Sequence, residues 1–287
     1  MIFTTLIEPM ELHALAVNQK ISKHNDLLIL DTRCSIADPQ IGKKLYQEGH
    51  VPNAVLVDFD EVVTGHFPAS RGRHPMPDRE TFRENMGKLG VDSKKQIVVY
   101  DQGGLGFASR VWYQLRWLGL EKAAVLNGGM KAWLKAGLPV SIAAAVPSAG
   151  RIDDADPLEV PVPMKVLQDN LTSKEFLVMD ARSNSRFHGI GENIDRKAGH
   201  IPGSISRSGS ESMTKDGAFR PAPELRKEFL ALMEGRKPNQ IIHSCGSGVN
   251  ATISLLAMDY AGLFGSRLYP GSWSEWIEDD NNPISCD

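Results

Sequence analysis

Short apolar runs recur along the first half of the chain, each closed by a polar residue or a glycine. They are L-L-I-L-D over Leu27–Asp31, A-V-L-V-D over Ala54–Asp58, I-V-V-Y-D over Ile97–Asp101 and A-A-V-L-N-G-G over Ala123–Gly129. Runs of this length without internal polar alternation predict strands buried on both faces. Between the last two lies R-V-W-Y-Q-L-R-W-L-G, a helical pattern that Gly119 would cap at its C-terminal end. Apolar strands alternating with helices imply an α/β fold, a parallel sheet with helices on both faces.

The same pattern in the second half produces the most informative stretch. Ile241 and Ile242 end a buried strand, and Val249, Ile253, Leu256 and Ala257 recur at helical spacing just beyond it. Between them stands C-G-S-G, with Cys245 first and Gly246 and Gly248 on either side of Ser247. A strand, a tight glycine turn and a helix N-terminus surround a cysteine with backbone N–H groups and the positive end of a helix dipole. Such surroundings stabilise a thiolate. The plainer reading is a cysteine packed as a small core side chain.

The two halves repeat. D-T-R at Asp31 returns as D-A-R at Asp180, and G-H-V-P-N-A at Gly49 as G-H-I-P-G-S at Gly199. I-V-V-Y-D-Q-G-G returns as I-I-H-S-C-G-S-G, and L-N-G-G-M-K-A-W as Y-P-G-S-W-S-E-W. The displacement is about 145 to 150 residues each time, far beyond a solenoid period and consistent with a duplicated domain. The expected division is a first domain over 1–142, an extended Ala- and Pro-rich linker over 143–160, and a second domain over 161–287. Asp101 occupies the place of Cys245 in the first copy, so that copy lacks the nucleophile. His50 and His200, and Asp31 and Asp180, occur in both copies, which points to turn and loop support rather than chemistry.

Composition narrows the classes. A net charge of -3 over 287 residues gives no reason to expect nucleic acid as a partner. Glu8 and Glu11 stand where a secretory signal would be basic and then apolar, and no run is long enough to cross a bilayer. The three cysteines, Cys34, Cys245 and Cys286, form neither a disulfide framework nor a zinc pattern. A cytoplasmic protein with no membrane partner and no metal is expected.

Taken together, G-H-V-P-N-A, G-H-I-P-G-S, the Cys-led loop before a helix and G-S-W-S-E-W resemble the tandem rhodanese family of sulfurtransferases. The resemblance covers nearly the whole chain and implies two rhodanese-like domains. C-G-S-G-V is similar to the 3-mercaptopyruvate branch, whereas the thiosulfate branch carries basic residues in this loop. Asn250 stands where the branch has Thr, and Pro270 where an Asp often precedes G-S-W-S-E-W.

The resemblance implies that Cys245 takes sulfur from a small donor as a persulfide, releases pyruvate, and hands the sulfur to a thiol such as thioredoxin or to cyanide, with no cofactor. It implies that Arg186 and Arg196 bind the donor's carboxylate and keto oxygen, since a guanidinium fork matches a carboxylate. Gly246, Gly248, Val249 and Asn250 would line the donor. Ser247 would relay a proton, with Asp60 or His74 from the first half as its partner. Three alternatives stand beside this reading. One is a thiosulfate sulfurtransferase. Another is a non-catalytic persulfide sensor. The third is a cysteine-dependent phosphatase, which the absence of an arginine at Ala251 and Thr252 disfavours.

Overall fold

The computed structural model describes residues 2–22, 26–35, 38 and 40–287. It divides into two compact units. The first comprises Met1–Gly65, Pro77–Glu159 and Thr214–Ala218; the second comprises His66–Met76, Val160–Met213 and Phe219–Asp287.

The first unit is built on a five-stranded, all-parallel sheet. Its strands are β1 (Leu6–Ile7), β2 (Leu27–Asp31), β3 (Val55–Leu56), β4 (Gln96–Tyr100) and β5 (Ala123–Leu126), in the spatial order β1-β5-β4-β2-β3. Its helices are α1 (Pro9–Ser22), α2 (Ile41–Glu48), α3 (Arg79–Lys88), α4 (Gly106–Trp117) and α5 (Gly129–Lys135). Neighbouring residues of β4 point to opposite faces, yet Ile97, Val98, Val99 and Tyr100 are all buried. Helices therefore cover both faces, as the unbroken apolar runs predict. Gly119 adopts a φ of 89° and its N–H closes onto the Arg116 carbonyl, ending α4 where expected. The Ala54–Asp58 run is shorter as a strand, because only Val55 and Leu56 pair with β2.

The stretch after residue 142 has little regular secondary structure, but it does not hang free. Gly150 N–H donates to the Gly87 carbonyl, Ser93 N–H to the Arg151 carbonyl and Leu158 N–H to the Arg116 carbonyl. Glu159 pairs with Arg116 at 3.2 Å. These bonds make residues up to Glu159 part of the first unit.

The second unit has a four-stranded parallel sheet ordered β7-β6-β8-β9, formed by β6 (Leu177–Asp180), β7 (Ile205–Ser206), β8 (Ile241–Ser244) and β9 (Arg267–Leu268). Around it lie α6 (Met164–Ser173), α7 (Asn184–Phe187), α8 (Ala222–Met233), α9 (Ala251–Tyr260) and α10 (Ser272–Trp276). Its core includes Val178, Ile242, Tyr269, Trp273 and Trp276. Among the described residues, no helix is long and apolar enough to cross a membrane.

The repeated motifs do the same mechanical work in each unit. Asp31 holds Arg33 by a bidentate pair, and Arg33 then donates to the Gly49 carbonyl at 2.8 Å. Asp180, Arg182 and Gly199 repeat this arrangement, again at 2.8 Å. His50 stacks on Tyr46 and bonds the Tyr46 carbonyl, while His200 stacks on Phe187 and bonds the Phe187 carbonyl. The D-x-R and G-H-x-P motifs are thus a buried tie between a strand end and the turn before the next strand.

Candidate active site

Strand β8 ends at Ser244, helix α9 begins at Ala251, and the six residues between them form the Cys245 loop. Cys245 is only 3% exposed, and the Gly248 N–H donates to its Sγ at 3.1 Å. Gly248 has a φ of 75°, and that left-handed turn directs its amide back at the sulfur. The loop leads into a ten-residue helix, whose dipole adds positive potential at the same end.

The loop is held from beneath by α10 and the turn before it. Cys245 N–H donates to Ser272 Oγ at 3.0 Å, Trp273 N–H to the Cys245 carbonyl at 3.0 Å, and Ser274 N–H to the Gly246 carbonyl at 2.9 Å. Ser272 adopts a φ of 53°, unfavourable for a residue with a Cβ. Its hydroxyl compensates by accepting from Cys245 and donating to the Tyr269 carbonyl at 3.0 Å. This explains G-S-W-S-E-W, whose two serines and tryptophan backbone fix the cysteine's main chain.

The first unit supplies an internal comparison. There Asp101 follows the strand, and its carboxyl oxygens accept N–H bonds from Gly103 at 2.8 Å, Leu105 at 3.0 Å and Ala108 at 3.3 Å. A carboxyl group fills that amide cradle. Burial nonetheless raises the Asp101 pKa, outweighing the opposing amides. In the second unit the homologous place holds a sulfur.

The segment His66–Met76 folds as part of the second unit and brings two basic side chains to the loop. His74 Nδ1 and Ser247 Oγ are hydrogen-bonded at 2.8 Å. Arg73 forms an ion pair with Asp195, and Arg186 donates to Glu192 at 3.0 Å and to Asp195 at 2.9 Å. The Asp195 and Glu192 side chains are both only 3% exposed. A Cβ built on Gly246 would lie 2.9 Å from Arg73 Nη2 and 3.7 Å from both Arg186 Nη atoms. Two guanidinium groups therefore converge on the residue beside Cys245. Burial lowers the Arg73 pKa, the positive charge of Arg186 lowers it further, and negative charge at Cys245 and Glu192 acts in the opposite sense.

Among the residues expected from sequence, Cys245, Gly246, Ser247, Gly248, His74 and Arg186 come together in the second unit. Val249 is buried in the loop and Asn250 is exposed at the helix start. Arg196 turns to the C-terminal segment instead, pairing with Glu278 at 3.4 Å and Asp280 at 3.5 Å and donating to the Ile277 carbonyl. Asp60 lies in the first unit on the short helix Phe59–Val63, half-buried. Burial first, and then the charge of Asp60, pushes the Cys34 thiol up to about 11. Sequence reading missed Arg73 and its partner Asp195. The available signal was the S-R-G-R-H-P cluster, where a cation immediately precedes His74.

Comparisons with known proteins agree with this fold. The rhodanese-like domain family matches the chain twice, over residues 14–136 and 164–279. A probable 3-mercaptopyruvate sulfurtransferase of Pseudomonas aeruginosa is 36% identical over 262 residues, 91% of this chain and 92% of its own. The thiosulfate sulfurtransferase of Mus musculus is 33% identical over 259 residues, 88% of this chain and 85% of its own. The crystal structure of SseA from Escherichia coli, a 3-mercaptopyruvate sulfotransferase, superposes with a TM-score of 0.78 at 29% identity, covering 94% of this chain and 99% of that one. With its Cys-led loop, its filled twin cradle and these relatives, the chain belongs to the tandem rhodanese family of sulfurtransferases, and within it resembles the 3-mercaptopyruvate sulfurtransferases.

Proposed function

We propose that this chain moves sulfur from 3-mercaptopyruvate, through a persulfide on Cys245, to a thiol or to cyanide. The observation that carries the reading is Cys245 Sγ receiving the Gly248 amide while the neighbouring Ser247 hydroxyl is bonded to His74. In the first half-reaction a bond forms between Cys245 Sγ and the donor sulfur as the donor's C–S bond breaks. The electron pair goes to the carbon, giving the enolate of pyruvate, and that carbon takes up a proton. Ser247 and His74 form the path along which the proton travels, a neutral hydroxyl relaying to an imidazole. In the second half-reaction an acceptor thiolate or cyanide attacks the outer sulfur, and Cys245 leaves as a thiolate. The Gly248 amide steadies anionic sulfur at both stages. Asp60 remains a further candidate partner in proton handling, and Arg196 a candidate for donor binding.

Loop composition supports 3-mercaptopyruvate as the donor, since residues 245–251 carry no cation. A second reading, thiosulfate, is favoured by Arg73 lying against Gly246, which places positive charge where a dianion would sit. Steady-state turnover with both donors decides between them. The expected outcome is kcat/KM for 3-mercaptopyruvate at least roughly tenfold above thiosulfate, about 1.4 kcal/mol in transition-state stabilisation. Incubation with donor alone should add one sulfur to Cys245, and Cys245→Ser should abolish transfer. Sulfur appearing on Cys34 or Cys286 instead would remove Cys245 from its role.

A further inference from the structure

We infer that Ser274 is a positioning residue for the proton path, its hydroxyl holding the His74 imidazole against Ser247. The inference rests on the functional reading above and extends it to a residue outside the Cys245 loop. Ser247 Oγ and His74 Nδ1 lie 2.8 Å apart although they stand 173 residues apart in the chain. A proton passes between two such groups only while their heavy atoms stay within about 2.6–3.2 Å. Ser274 reaches the peptide next to each of them. Its N–H donates to the carbonyl of Gly246, the residue before Ser247, at 2.9 Å. Its Oγ accepts the N–H of Arg73, the residue before His74, at 3.1 Å. Ser274 is only 4% exposed, and its hydroxyl also donates to the Gly271 carbonyl at 3.2 Å, which fixes the rotamer. The spacing between the two main chains is therefore set inside one buried residue.

Gly72 shows how close the approach is, since a Cβ there would lie 2.8 Å from Ser274 Oγ. The two ties are also separable. The bond to Gly246 uses the main chain of Ser274 and survives loss of the hydroxyl. The Gly271 carbonyl keeps a second donor, the Glu275 N–H at 3.1 Å. Removing the hydroxyl therefore releases the His74 side of the clasp and leaves the cysteine loop tied. A drift of about 1 Å at reacting groups costs on the order of 100-fold in rate.

The test is a double-mutant cycle of Ser274→Ala with His74→Gln, read as kcat for sulfur transfer from 3-mercaptopyruvate to cyanide. Ser274→Ala alone should lower kcat by about 10- to 100-fold. In the His74→Gln background it should lower kcat by less than about twofold, because a residue acting through His74 has nothing left to position. The rate at which iodoacetamide alkylates Cys245 should match wild type, showing that the loop is intact. NMR of the His74 ring nitrogens reads the clasp without turnover. The Nδ1 resonance should move in Ser274→Ala toward its position in Ser247→Ala, where the partner hydroxyl is absent. An unchanged kcat, a loss of equal size in both backgrounds, or a His74 resonance that Ser274→Ala leaves in place overturns the inference. A wild type that moves no sulfur from 3-mercaptopyruvate would sink the functional reading, and the His74 resonance alone then decides the clasp.

Discussion

Gly72 places both Arg73 and His74, and replacing it by alanine probes that placement. Its φ of 83° lies in the left-handed region, which costs a residue with a Cβ about 1–2 kcal/mol. The added Cβ would also lie 2.8 Å from Ser274 Oγ, 3.0 Å from the Gly271 carbonyl oxygen and 3.3 Å from the Glu275 amide nitrogen. Two of these are main-chain atoms of the turn that carries the cysteine loop, so they cannot yield without moving it. Displacing Ser274 Oγ breaks its bond from Arg73 N–H, worth about 1 kcal/mol, and overpacking adds about 1–2 more. Gly235 is the matched control. It lies in the same unit, has the same φ of 83°, and a Cβ there would meet nothing within 4 Å. Gly72→Ala should therefore lose about 3–5 kcal/mol and Gly235→Ala only about 1–2. Urea unfolding followed by tryptophan fluorescence reads both, because Trp273 and Trp276 are buried in this unit's core. Equal losses for the two variants, within about 0.5 kcal/mol, would refute the claim that close approach rather than backbone conformation demands glycine at Gly72.

Two further outcomes follow from titratable groups that burial shifts. Cys34, with its thiol pushed up to about 11, should be roughly one part in a thousand thiolate at pH 8 and alkylate far more slowly than exposed Cys286; Asp60→Asn should speed Cys34, and an unchanged rate would discount the Asp60 charge. His243 on β8 is held neutral by burial and by Arg207, its pKa lowered from 6.5 to about 3. The unfolded chain therefore binds a proton that the native chain refuses between those values. Its contribution is intact above pH 6.5 and is lost as pH falls toward 3, by up to about 1.4 kcal/mol per pH unit. Denaturant unfolding at pH 7.5 and pH 5 should show a weaker acid loss in His243→Gln than in wild type; identical slopes would reject this assignment.

Sequence alone determined the fold class and the immediate surroundings of Cys245, because both are written in local pattern. Unbroken apolar runs such as Ile97–Tyr100 can be satisfied only by a sheet buried on both faces. A strand, a glycine turn and a helix start around Cys245 fix its environment within ten or so residues. The duplication was legible for the same reason. It also identified Asp101 as the occupant of the twin cradle before its three amide bonds were seen.

Tertiary structure decided the charge around the sulfur. Counting cations found none in the loop and missed Arg73, which stands more than 170 residues from Cys245 in the chain. Only the packing of His66–Met76 into the second unit, through Gly72 and Ser274, carries that guanidinium to Gly246. Arg196 shows the converse. The resemblance placed it with Arg186 on the donor, and in the fold its guanidinium meets Glu278 and Asp280. Backbone pattern reports what lies within a few residues along the chain. Which long side chains meet over a cysteine depends on contacts between distant segments, and those exist only once the chain has folded.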